Sequence, residues 1–234
     1  MSSNTPRHFA DIVTLDDFRA RRTTPTLQPT FAPKGLVTPQ ESARIAFQEA
    51  GIPARFHERV EWREWGNDQQ REQQRRVLEV MREFAEDLPK MLDSGQCLLL
   101  TGGTGTGKTH LACRIARHCI LPHRRSAMYI TAMDAVRRFR DSWSTDESEG
   151  QVLRKFVERE MLVLDEVGVQ RATDDERLML CEIIDARYRE RRSTIVASNY
   201  PLADLATYLT DRGVSRLLEN GASIPFAWSD YRRK

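Results

Sequence analysis

The chain has 234 residues and a mass of 27.0 kDa, which at ~150 residues per domain is one large domain or one domain with an appendage. Hydrophobic residues make up 40% and charged residues 30%, too apolar a mixture for disorder throughout. Thirty-six Lys and Arg against 34 Asp and Glu leave a net charge of +2, so overall charge does not announce nucleic acid and any such contact must come from local patches. The sequence has no run of ~18 apolar residues, which excludes a membrane-spanning helix. Met1–His8 has no apolar segment behind its charge, so a cytoplasmic chain without a secretory signal is expected. Cys97, Cys113, Cys119 and Cys181 form no C-x-x-C pair and stand among apolar residues. A zinc reading of Cys113, His118, Cys119 and His123 lacks the tight pairs such sites show, and reduced core thiols are expected instead.

In chain order, residues 14–22 read as a short helix capped by Thr14, and residues 23–35, with Pro25, Pro29 and Pro33, read as an extended linker. Thr38-Pro39-Gln40-Glu41 joins a capping box to a proline at the first helical position. Ala43, Ala46, Phe47 and Ala50 then form one apolar stripe before Gly51 and Pro53 end the helix. That stripe suits packing on the main domain and docking of a partner equally. A long helix is predicted over 69–92, with Val77, Met81, Phe84 and Leu88 on one face and Pro89 and Gly95 marking its end.

From there strand and helix alternate. Strands are predicted at 97–100, 127–130, 161–164, 194–198 and 223–226, and helices at 108–119, 132–143 and from the Thr173–Glu176 capping box onward. In that last helix Leu178, Cys181, Ile184 and Tyr188 are read as facing inward. Continuous apolar strands alternating with helices predict a three-layer α/β fold around a parallel sheet.

Gly102-Gly103-Thr104-Gly105-Thr106-Gly107-Lys108-Thr109, followed by His110, fits G-x-x-x-x-G-K-[ST] between a strand and a helix. Glycines let successive backbone N–H groups turn inward, and with the positive helix end they cradle a β-phosphate. Lys108 would reach the β and γ oxygens, and the Thr109 hydroxyl would bind Mg²⁺. Leu162-Val-Leu-Asp165-Glu166 is an apolar strand ending in two carboxylates. Asp165 would complete Mg²⁺ coordination and Glu166 would polarise an attacking water, so ATP hydrolysis is expected. Asn199, at the next strand end, is placed as the polar sensor found in AAA+ ATPases. Of the arginines in Leu209–Leu218, Arg216 is the first candidate for a finger acting on a neighbouring subunit and Arg212 the second.

Together these stretches resemble one family, the bacterial DnaC-type replicative helicase loaders within the DnaC/IstB-like AAA+ ATPases. The resemblance is carried by Gly105–Ala112, Ile130–Val136, Leu162-Val-Leu-Asp-Glu-Val-Gly-Val-Gln170, Ser198-Asn199, Asp211–Arg216 and Trp228-Ser-Asp-Tyr-Arg-Arg233. It implies a P-loop AAA+ domain over 51–234 that binds ATP and Mg²⁺. It implies an amino-terminal extension over 1–50 that grips a DnaB-type helicase hexamer, self-association on that ring, and contact with single-stranded DNA. The chain departs from the family in its short, cysteine-free extension. Only 18 residues follow Arg216 (234 minus 216), so no full helical lid is expected, and Arg232 is no more than a guess for a lid-type sensor.

Arg137-Arg-Phe-Arg140-Asp-Ser-Trp143 interleaves cations with aromatics as single-stranded DNA binding requires. Arg140 and Trp143 are the candidate contacts and Phe139 a core residue. The run Arg187, Arg189, Arg191 and Arg192 reads as a salt-bridged surface. Two other functions share these motifs: an IstB-type transposase helper, and an adaptor that binds ATP without hydrolysing it.

Overall fold

The computed structural model describes residues 39–58, 64, 67–168 and 173–231. The helix expected at 14–22, the linker at 23–35, the Thr38 cap and Arg232 lie outside the described residues. Five strands, β1 (Cys97–Gly102), β2 (Ala127–Thr131), β3 (Met161–Val167), β4 (Ser193–Ser198) and β5 (Gly221–Phe226), form one sheet in the order β2-β3-β4-β1-β5. Every pair is parallel, so all strands end on the same edge. The helices are α1 (Pro39–Glu49), α2 (Asp68–Glu86), α3 (Leu88–Ser94), α4 (Lys108–Ile120), α5 (Ala132–Ser142), α6 (Glu149–Glu158), α7 (Asp174–Arg189) and α8 (Leu202–Glu219), with a 3₁₀ turn at Ala54–Phe56.

Side chains alternate across a strand, and this sorts the core into two layers. Leu98 and Leu100 pack with Phe47, Phe84 and Ile115 of α1, α2 and α4. Leu99 packs on the other face with Phe139, Phe156, Ile184 and Leu209 of α5 to α8. The fold is the expected three-layer αβα domain. No helix among the described residues is long and apolar enough to cross a membrane.

Three sequence expectations are corrected. The helix predicted over 69–92 is two helices. The Asp87 N–H bonds to the Glu83 carbonyl and closes α2, and Pro89 sits in the first turn of α3, where its missing N–H costs nothing. Proline here opens a helix instead of ending one. The α7 face is shifted: Leu180, Ile183, Ile184 and Arg187 are buried, whereas Leu178 is 69% and Tyr188 38% exposed. Both sets satisfy helical spacing, and the charge of Arg187 hides the correct one. Arg187 itself belongs to no surface, because its guanidinium donates to the carbonyls of Phe156, Arg159, Glu160 and Ser193 and to Thr194 Oγ1. Buried charge is tolerated when it is fully hydrogen-bonded.

Helix α6 was not anticipated, although Ser148 and Gln151 form a reciprocal capping box at its start. Helix α8 breaks at Thr210, whose φ of +64° is non-helical; the Gly213 N–H donates to Thr210 Oγ1 at 3.3 Å and restarts the helix there. The apolar side of α1 is buried against the domain through Phe47 and Ala50.

Candidate functional site

The loop leaving β1 passes directly into α4 and sits at the carboxyl edge of the sheet. Gly105 and Gly107 adopt φ of +73° and +99°, left-handed values that side chains resist, and Gly107 is the N-cap of α4. Lys108 is buried, and its ammonium donates to the Gly102 and Gly103 carbonyls at 2.6 and 2.7 Å. The Thr106 hydroxyl donates to the Gly103 carbonyl at 2.8 Å. The ammonium therefore lies across the mouth of a ring of glycines at a helix N-terminus, an anion-binding arrangement. Thr109 occupies the first turn of the same helix and is half-buried, as is His110, whose ring meets Phe56 edge-on at 6.0 Å between centroids. Burial, then the charge of Arg114, holds His110 below the usual histidine range. Gly103 and Thr104 form the exposed tip of the loop.

The neighbouring strand ends complete the site. Thr101 of β1 pairs with Ser198 of β4, and Ser198 pairs with Val167 of β3, so Asn199 emerges between the glycine loop and the carboxylates. The β3–β4 ladder is irregular between Leu164 and Val167. Within that irregularity Asp165 is buried and Glu166 is exposed with φ of +59°. A glutamate held in the left-handed region costs on the order of 1–3 kcal/mol and such strain concentrates at functional sites. Asp165 Oδ1 accepts the Glu166 N–H at 2.9 Å, and Oδ2 accepts the Tyr129 hydroxyl at 2.7 Å. Burial, then Asp165, pushes the Tyr129 hydroxyl above its ordinary range and keeps it a donor. Sequence reading missed Tyr129, since nothing marks one tyrosine in an apolar strand.

Arg216 and Arg212 both meet Asp185 of α7. Arg216 is 17% exposed, paired with Asp185 and set over the Tyr188 ring at 5.2 Å. Arg212 reaches Asp185 at 3.6 Å with 71% of its side chain exposed. Exposure thus places Arg212, the second choice from sequence, further out than Arg216. On α5, Arg140 pairs with Glu176 at 2.8 Å, and Trp143 is 61% exposed with its indole N–H donated to Glu149. Phe139 is core, stacked on Phe156. The zinc alternative finds Cys113 and Cys119 sealed in the core, where burial raises both thiols above their usual range.

Residues 53–220 match the family described as IstB-like ATP binding protein. The chain belongs to that family. It is 29% identical over 165 residues to the replicative helicase loader DnaC of Escherichia coli strain K12, an alignment covering 70% of this chain and 66% of that protein. It is 29% identical over 163 residues to the DnaC loader of Buchnera aphidicola subsp. Acyrthosiphon pisum, covering 68% and 65%. The chain therefore spans about two thirds of the length of these curated relatives. The crystal structure of a DnaC helicase loader superposes with a TM-score of 0.64 at 25% identity, over 74% of this chain and 99% of that one. AMPPCP-bound DnaA from Aquifex aeolicus shares the fold, with a TM-score of 0.55 at 22% identity over 65% of this chain and 47% of that one. The domain is a P-loop AAA+ fold of the ATP-binding IstB/DnaC family.

Proposed function

We propose that this protein is an ATP-driven loader that engages a hexameric DnaB-type helicase and single-stranded DNA during replication initiation. The reading is supported by the convergence of a lysine-bearing glycine loop and the Asp165–Glu166 pair at one sheet edge, in a chain similar to proteins named replicative helicase loaders. The buried ammonium and glycine ring fit a triphosphate. The Asp165 carboxylate at the end of β3 and the Thr109 hydroxyl in the first turn of α4 are oxygen donors of the kind a hydrated divalent ion takes. Thr109 and Asp165 would hold Mg²⁺, which when bound neutralises charge on the β and γ oxygens.

In this reading residues 102–110 wrap the phosphates, and Lys108 exchanges its carbonyl partners for phosphate oxygens. Glu166, exposed beside the buried Asp165, accepts a proton from water, and Asn199 orients that water against the γ-phosphate. A finger from a neighbouring subunit on the helicase ring stabilises transition-state charge. Arg216 serves once it leaves Asp185, and the exposed Arg212 requires less rearrangement. Residues 1–50 grip the helicase, with the outer side of α1 around Ile45 free of the core. Arg140 and Trp143 contact DNA phosphate and base. The chain works in the cytoplasm.

Purified protein should hydrolyse ATP faster per subunit as its concentration rises or when helicase is added, and Glu166→Gln should bind ATP normally without turnover. Absence of turnover with helicase and DNA both present would convert the protein to a non-hydrolysing adaptor. A second reading is suggested by the IstB-like family: a transposase helper of the IstB type. Pull-downs with replicative helicase and with transposase separate the two: capture of the transposase alone selects the second.

A further inference from the structure

The segment after β5 folds back over the phosphate loop. Trp228 is 7% exposed, and its indole N–H donates to the Thr106 carbonyl at 2.9 Å. The Tyr231 N–H donates to the adjacent Gly105 carbonyl at 3.1 Å. Ser229 accepts a hydrogen bond from Gln70 of α2 at 2.6 Å, which ties the segment down. Asp230 approaches so closely that a Cβ at Gly105 would fall 1.6 Å from its Oδ1, so the tail lies directly against the loop.

Two successive loop carbonyls are thus held from outside the loop. A trans peptide is planar, with its C=O and N–H pointing in opposite directions. Holding the Gly105 and Thr106 carbonyls toward the tail therefore turns the Thr106 and Gly107 N–H groups away from it. Those N–H groups belong to the stretch whose donors cradle a phosphate. We infer that Trp228 is a positioning residue of the nucleotide site, which orients the donor groups of the phosphate loop through its hydrogen bond to Thr106. The inference rests on the nucleotide-binding reading of that loop and adds a role for the carboxyl-terminal segment in it.

The test replaces Trp228 alone by 3-benzothienylalanine, which keeps the shape of indole and lacks its N–H, with Trp228→Phe as a second variant. Calorimetry measures MgATP and MgADP, competition measures adenosine, and thermal melting without nucleotide checks the fold. The isostere should weaken MgATP and MgADP about fivefold, the scale of one hydrogen bond, leave adenosine unchanged, and melt within a few degrees of the native protein. Equal MgATP affinity in native protein and isostere overturns the inference, as does an equal loss for ATP and adenosine, which would mean general loosening. Failure of the native protein to bind MgATP would instead remove the nucleotide reading itself.

Discussion

Replacing Arg187 by methionine tests the claim that a buried cation organises the layer beneath the site. The side chain is 0% exposed. Its Nε reaches Thr194 Oγ1 at 3.0 Å, and its terminal nitrogens reach the carbonyls of Arg159 at 2.9 Å, Ser193 at 2.5 Å and Glu160 at 3.4 Å, as well as that of Phe156. These groups close the end of α6 and open β4. Burial lowers the guanidinium to about 9, so it is charged at neutral pH. Methionine keeps the apolar stem but strands at least three carbonyls, each costing about 1–3 kcal/mol when left unpaired in the interior. Against this stands the relief of desolvating an ion, several kcal/mol. The stranded carbonyls outweigh that relief by ~2–4 kcal/mol, or roughly 10 °C in melting temperature for a domain of this size. Lysine should fail almost as badly, because one ammonium cannot reach a planar fan of acceptors. Urea unfolding followed by far-UV circular dichroism reads the change. A loss below 1 kcal/mol for both variants would refute the account.

Tyr129→Phe removes one hydrogen bond to the charged Asp165, worth ~1.5–3 kcal/mol; ATP turnover should drop about tenfold or more while metal-free nucleotide binding holds, as a magnesium titration of the ATPase rate will check. Glu176→Gln releases Arg140 from its ion pair yet keeps an acceptor for the Thr173 N–H of the capping box, so a labelled oligonucleotide should bind roughly two- to fivefold tighter at low salt, and unchanged anisotropy would take Arg140 out of the DNA interface. Burial raises the Cys97, Cys113 and Cys119 thiols. Their folded pKa values lie above the unfolded ~8.5, so the stability they confer is complete below that pH and is lost as pH rises beyond it, by up to ~1.4 kcal/mol per unit for each thiol. Urea midpoints should fall between pH 8 and 10.5, less so in Cys119→Ala; a flat profile would contradict the burial.

The repeating units and the short motifs are legible in the chain alone. Apolar strands such as Met161–Leu164 and the glycine–lysine loop at 102–109 are signals written within a few neighbouring residues, and the structure places them where the spacing implied. Capping boxes work the same way, which is why the start of α7 was legible and that of α6 was there to be read. Other features depend on residues far apart in the chain and become visible only in the folded molecule. The inward face of α7 follows from carbonyls of α6 and β4 that accept from Arg187, and no helical period reveals an acceptor on another element. The same holds for the Tyr129 hydroxyl on Asp165, for the hold of Asp185 on Arg216, and for the Trp228 indole reaching across 122 residues to Thr106. Periodicity reports which residues prefer to leave water; which polar groups meet once they have left it is set by how the layers close.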